Sequence, residues 1–238
     1  MSYHPNFHRL RRRARCLALA ALFLAPGGTA LAIPTGTDSS RKSALLCRQA
    51  IAEAERAHRL PRQLLSALSI VESGRWSKAR KEIIAWPWTI YAEGRGRYLK
   101  SKAAAIAEVR RLKARGVRNI DVGCMQVNLH YHPKAFANLS QAFEPRRNAA
   151  YAARFLADLK RETRSWSAAI GHYHSRTPKY AGPYRKKVKA AWRGERRRVA
   201  ADRRNQIQAR WQKKVDANKR RRYLRRKVTT SGRLYVRR

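Results

Sequence analysis

Apolar positions recur at helical spacing over most of the chain. Leu45, Leu46, Ala50, Ile51, Ala54 and Ala57 form one stripe. His58-Arg59-Leu60-Pro61 ends that helix and opens the next, because proline is tolerated in a first turn but not in a helix interior. The second helix, over residues 62–71, is strongly apolar and delivers Glu72 just before Gly74 breaks the pattern. Residues 86–92 and 97–99 are aromatic and β-branched runs on either side of Glu93-Gly94-Arg95-Gly96, which predicts a β-hairpin. Residues 102–115 read as a basic amphipathic helix with Ala104, Ile106, Val109 and Leu112 inward, stopped at Gly116. Three more helices are expected over residues 145–159, 166–173 and 182–192. The fold class this predicts is mainly α with one small β-hairpin, in a single domain over residues 44–192.

The ends have a different character. A basic stretch, His8 to Arg15, precedes an apolar run of residues 16–25, a Pro26-Gly27-Gly28 break and the small-x-small site Ala30-Leu31-Ala32. That order predicts a secretory signal peptide over residues 1–32, since the apolar run falls short of the roughly 20 residues a spanning helix needs. The expected location is therefore the periplasm, across the inner membrane. Residues 33–43 read as a flexible lead-in. From Arg185 to Arg238 there are 23 lysines and arginines against three acids, so residues 193–238 form a basic tail that is either helical or disordered.

Export changes the reading of the cysteines. Removal of the leader leaves two, Cys47 and Cys124, an even count in an oxidising compartment, and they are predicted to bridge. Two separately buried thiols are the alternative. Charge narrows the partners in turn: 56 basic residues against 14 acidic ones give a net charge of +42, which calls for a polyanionic partner or surface. An anionic envelope surface or an acidic protein fits an exported chain, and no nucleic acid is expected.

The candidate chemistry begins at Glu72. Leu68, Ile70, Val71 and Trp76 surround it in sequence, and poor solvation raises a carboxyl's pKa toward the range a general acid needs. An ion pair with Arg75 or Arg80 is the plainer role. A second stretch, Asn119-Ile120-Asp121-Val122-Gly123-Cys124-Met125-Gln126-Val127-Asn128, offers Gln126 and Asn128 amides that can fix a polar ligand, or else a buried strand or turn. Trp86 and Trp88 are either stacking platforms for rings or packing for the hairpin. Asp121 is the nearest second carboxyl, and a helix or turn role is expected for it. His130-x-His132 and His172-x-His174 do not make a metal site by spacing alone, and no metal or cofactor is expected.

Together, Glu72-Ser73-Gly74, then Gly123-Cys124-Met125-Gln126-Val127-Asn128, then Ala169-Ile170-Gly171-His172-Tyr173-His174-Ser175 resemble the three motifs of the soluble lytic transglycosylases, relatives of goose-type lysozymes. The resemblance covers residues 46–192. It implies a lysozyme-like helical domain that cleaves the β-1,4 bond between N-acetylmuramic acid and N-acetylglucosamine in peptidoglycan and leaves a 1,6-anhydro end. By that resemblance Glu72 is the single catalytic acid and base, while Ser73, Met125, Gln126, Asn128, Tyr173 and His174 contact substrate or hold the acid. The chain departs from the family's usual Tyr-Asn-x-Gly, with Tyr173-His174-Ser175-Arg176 in its place, and Arg176 is a candidate partner for stem-peptide carboxylates. The expected protein is a monomeric peptidoglycan lyase, with a water-using muramidase or a non-catalytic peptidoglycan-binding assembly protein as alternatives.

Overall fold

The computed structural model describes residues 37–78 and 80–235, so the leader and the start of the lead-in lie outside the described residues. The chain is mainly helical with small antiparallel sheets. It divides into two compact units, one of residues up to Ala54 with Glu72–Phe155, the other of Glu55–Val71 with the residues from Leu156 on. No helix of the described residues is long and apolar enough to cross a membrane.

Most of α1 (Thr37–Ala57) belongs to the first unit. It starts inside the segment expected to be a flexible lead-in. No proline or glycine follows Gly36 there, so nothing stops the helix from extending outward from its apolar stripe. The end of α2 (Leu64–Ser73) leads straight into β1 (Gly74–Ser77), which pairs antiparallel with β2 (Glu82–Ala85). This hairpin was not expected, because its connection, Lys78 to Lys81, is mostly basic and carries no glycine, proline, asparagine or aspartate to signal a turn.

The predicted hairpin is present as β3 (Thr89–Ala92) and β4 (Arg95–Tyr98). Glu93 and Gly94 form its turn at φ +54° and +74°, the left-handed pair that a two-residue turn needs to match strand twist. β5 (Asp121–Val122) and β6 (Val127–Asn128) complete a sheet in the order β4-β3-β5-β6. Against the sheet lies α3 (Lys102–Ala114), capped by the Ser101 hydroxyl and ended at Gly116, φ +80°. Its inward residues are Ala105, Val109 and Leu112 rather than Ala104, a one-residue rotation that keeps the 4-and-3 spacing. Trp86, Trp88, Ile90, Val109, Leu112, Val122 and Phe143 form the core of this unit. The short α4 (Leu139–Ala142) and the first part of α5 (Pro145–Thr163) complete it.

The second unit contains α6 (Trp166–His174) and α7 (Pro178–Tyr235). Gly171 lets them approach closely, since a Cβ there would sit 3.2 Å from that of Ala181. The Glu55 carboxylate accepts the N–H groups of Gln63, Leu65 and Ser66 at 3.1, 2.7 and 3.2 Å and so caps the start of α2. Further along, the Ser66 hydroxyl donates to Glu195 on α7 at 2.7 Å, and the Trp192 indole donates to the Arg62 carbonyl at 2.8 Å. α7 runs on past residue 192 through the basic segment to Tyr235, the helical one of the two alternatives read for the tail. That segment lacks proline and is rich in arginine, lysine, alanine and glutamine, all good helix formers.

Cys47 and Cys124 are bridged, with Cα atoms 5.7 Å apart, closing 77 positions of sequence. In the chain-entropy account a loop of that length contributes roughly 4 kcal/mol. Replacing both cysteines by alanine should lower the unfolding free energy by about 2–4 kcal/mol. Urea denaturation of parent and variant checks this, and coincident midpoints would show that the bridge carries no stability.

Candidate functional site

Glu72 lies in the last turn of α2 and is half-buried. The two arginines weighed as its partners are engaged elsewhere: the Arg75 guanidinium lies 3.9 Å over the Trp86 ring, and Arg80 bonds Glu82. Ser73, directly after it, is 0% exposed. Its hydroxyl donates to the Cys124 carbonyl at 2.6 Å, and its own carbonyl accepts the Trp86 N–H at 3.1 Å. One buried residue therefore ties the Glu72 segment to the Gly123–Asn128 segment.

That second segment is a tight hairpin. Gly123 turns it at φ +82°, and Gln126 closes it at φ +47°. Gly123 N–H donates to the Thr89 carbonyl at 2.9 Å, which fixes the turn to β3. The Gln126 side-chain amide donates to the carbonyls of Gly123 and Thr89 at 3.0 and 3.2 Å. Met125 is fully buried, and its N–H donates to Asn148 Oδ1 at 2.9 Å. Ser73, read as contacting substrate or positioning the acid, and Met125, read as lining the cleft, both lie under the surface.

Asn128 is likewise occupied within the chain. Its Nδ2 donates to Asp121 Oδ1 at 2.7 Å and to Asn119 Oδ1 at 2.5 Å, while its Oδ1 accepts from His130 and Tyr131 N–H at 2.9 and 3.0 Å. Asp121 sits in a strand rather than a turn, and burial pushes its carboxyl up to about 6, with the Asn128 bond working the other way. A carboxyl of that kind beside a turn fits a functional region, though structural networks produce the same shift.

In the second unit, Tyr173 is half-buried on α6, and the His174 ring stacks on Tyr184 at 4.6 Å. Desolvation lowers the His174 pKa, and the charge of Lys187 adds to it. Arg176 does not stand open for stem-peptide carboxylates: it forks onto Glu162, with Nη2 at 2.8 Å from Oε2. Of the paired histidines, His132 Nδ1 bonds the Tyr151 hydroxyl at 2.9 Å, while His130 packs against Tyr131. Among the described residues no group of three histidine, cysteine or carboxylate side chains is placed to hold a metal.

Of the two roles read for Trp86 and Trp88, packing is the one seen: they are buried, at 3% and 7% exposure. Two other features escaped the sequence reading. The open aromatic faces of this unit are instead Trp76, Tyr98 and Tyr131, at 59%, 46% and 71%. Tyr98 is held by its hydroxyl, which donates to the Gly74 carbonyl at 2.8 Å just past the Glu72 turn. Asn148 is the other. It is 0% exposed, and its Nδ2 donates to the Val122 and Ala142 carbonyls, both at 3.0 Å. The available signal was an asparagine on the apolar face of a helix, in step with Ala149, Ala152 and Leu156.

Comparison of the chain with protein-family models, curated proteins and solved structures gives no match.

A Cβ at Gly123 would lie 2.5 Å from Asn148 Nδ2, on a backbone that L-residues avoid. Gly123→Ala should therefore destabilise by about 2–4 kcal/mol, measured by urea denaturation. Asp121 gives a pH signature. Its folded pKa lies above the ordinary value of 3.8, so its favourable contribution is complete below that value and is lost as pH rises through about 6. Asp121→Asn should gain on the parent by about 1–3 kcal/mol between pH 4 and 7. Parallel denaturation curves across that range would refute the burial account.

Proposed function

We propose that the chain is an exported lytic transglycosylase of peptidoglycan, with a lysozyme-like domain and Glu72 as its acid and base. The observation that carries this reading is the Ser73 hydroxyl bonded to the Cys124 carbonyl. It holds together two of the three motifs on which the resemblance rests, with the half-buried Glu72 beside the junction.

In the first step the Glu72 carboxyl donates its proton to the glycosidic oxygen, and the bond from the muramic acid C1 to that oxygen breaks. In the second, the Glu72 carboxylate takes the proton of the same sugar's C6 hydroxyl, whose oxygen closes on C1 to give the 1,6-anhydro ring. The acid is thereby regenerated, and neither a second carboxylate nor an attacking water is needed, unlike in two-carboxylate glycosidases. Ser73 holds the turn that carries the acid. Gln126 is half-buried and presents the rest of its amide to a glycan. Tyr173 matches the third motif's tyrosine, and His174 stands where the family carries an asparagine. The exposed Trp76 and Tyr98 faces suit pyranose rings. The basic end of α7 holds the protein near an anionic envelope surface in the periplasm.

Mass spectrometry of soluble products after incubation with peptidoglycan sacculi tests this. The parent should release anhydromuropeptides, and Glu72→Gln should slow release at least ~100-fold. Reducing ends from the parent would make the enzyme a muramidase. Binding without release from either protein would make the chain an assembly protein.

A further inference from the structure

A cavity of about 550 Å³ opens in the first unit, within the size range of small-ligand sites. Its apolar wall is Ile106, Leu129 and Phe136, half-buried side chains whose other faces pack on the core. Arg110 and Lys113 line it from α3, at i+4 and i+7 from Ile106, so the three share one helix face. His132 lines it too. The bond from its Nδ1 to the Tyr151 hydroxyl fixes the ring and leaves Nε2 as its remaining polar atom.

The cations of α3 are used in two different ways. Arg111 forks onto Glu108 at 2.8 and 2.7 Å, and Arg115 reaches Glu93 at 2.6 Å. Arg110 and Lys113 bond no carboxylate among the described residues. Two cations beside an apolar wall in one cavity fit a ligand that carries carboxylates on a short body with small apolar groups. Inorganic anions lack that apolar component. Leu129 immediately follows Asn128, so the cavity begins where the second motif ends.

We propose that this cavity binds a short acidic peptide of small apolar residues, by its carboxylates at Arg110 and Lys113. The inference rests on the peptidoglycan reading for the source of that peptide, namely the stem carried by muramic acid next to the cleaved bond. It would make the enzyme prefer stem-bearing glycan.

Calorimetric titration of the intact protein with the free stem tetrapeptide, and with the same peptide amidated at its carboxyls, tests the cavity without reference to cleavage. The parent should bind the acidic peptide, and amidation should weaken binding at least tenfold. The double variant Arg110→Ala/Lys113→Ala should lose at least tenfold, while Arg110→Lys retains most of the affinity. Both positions are exposed, and circular dichroism confirms that each variant is folded. No binding by the parent, equal binding of the amidated peptide, or unchanged binding by the double variant each overturns the proposal. So does a response to inorganic phosphate or anionic vesicles but not to the peptide. Anhydromuropeptide release by the parent is scored separately: its absence refutes the cleavage reading, while the titration still decides the cavity.

Discussion

One buried amide organises the candidate site. Asn148 projects from α5 with no exposure to solvent, and it uses both ends of its side chain on main-chain groups from three places. Its oxygen accepts from Met125, while its nitrogen donates to Val122 before the turn and to Ala142 beyond it. A buried amide with all these bonds made fixes a conformation, because any rearrangement leaves a donor or acceptor unpaired at roughly 1–3 kcal/mol each. Gly123 is the matching constraint. The amide reaches its partners only because no Cβ stands in its way, and the left-handed backbone there suits only glycine without strain.

From that turn the constraint passes to the acid. Cys124 is held by the covalent bridge to Cys47 on α1, and its carbonyl receives the Ser73 hydroxyl. Glu72 is therefore one residue from a point fixed to the hairpin, and the hairpin is fixed to α5 and to α1. Preorganisation of this kind lets an acid act without rearranging at the moment of reaction. Ser73, Gly123 and Met125 are buried and shape the support of this segment.

The elements that were legible in sequence are those whose local pattern and final burial agree. The β3–β4 hairpin followed from Glu93-Gly94 between aromatic runs, and α3 from its stripe and terminal glycine. The pairing of Cys47 with Cys124 followed from count and compartment. The β1–β2 hairpin was illegible because its basic connection, Lys78 to Lys81, has no turn-forming residue such as Gly94. Trp86 and Trp88 were ambiguous for another reason: aromatic density reads the same whether the rings face core or solvent. Asn148 was overlooked because an asparagine in a helix looks like a weak helix former until its partners come from distant segments.

Charge gives a last reason to place function in this region. Most acids of this strongly basic chain pair with arginine or lysine, as Glu82, Glu93, Glu108 and Glu162 do. Asp121 and Glu55 do not: burial raises both their pKa values, and their partners are an amide and backbone N–H groups respectively. Keeping cations away from a carboxyl in a chain with 56 of them requires the fold to exclude them. At Glu55 the exclusion serves a helix cap. At Asp121 it leaves a carboxyl that changes charge near pH 6 on the strand that enters the Gly123 turn, paired to the Asn128 side chain.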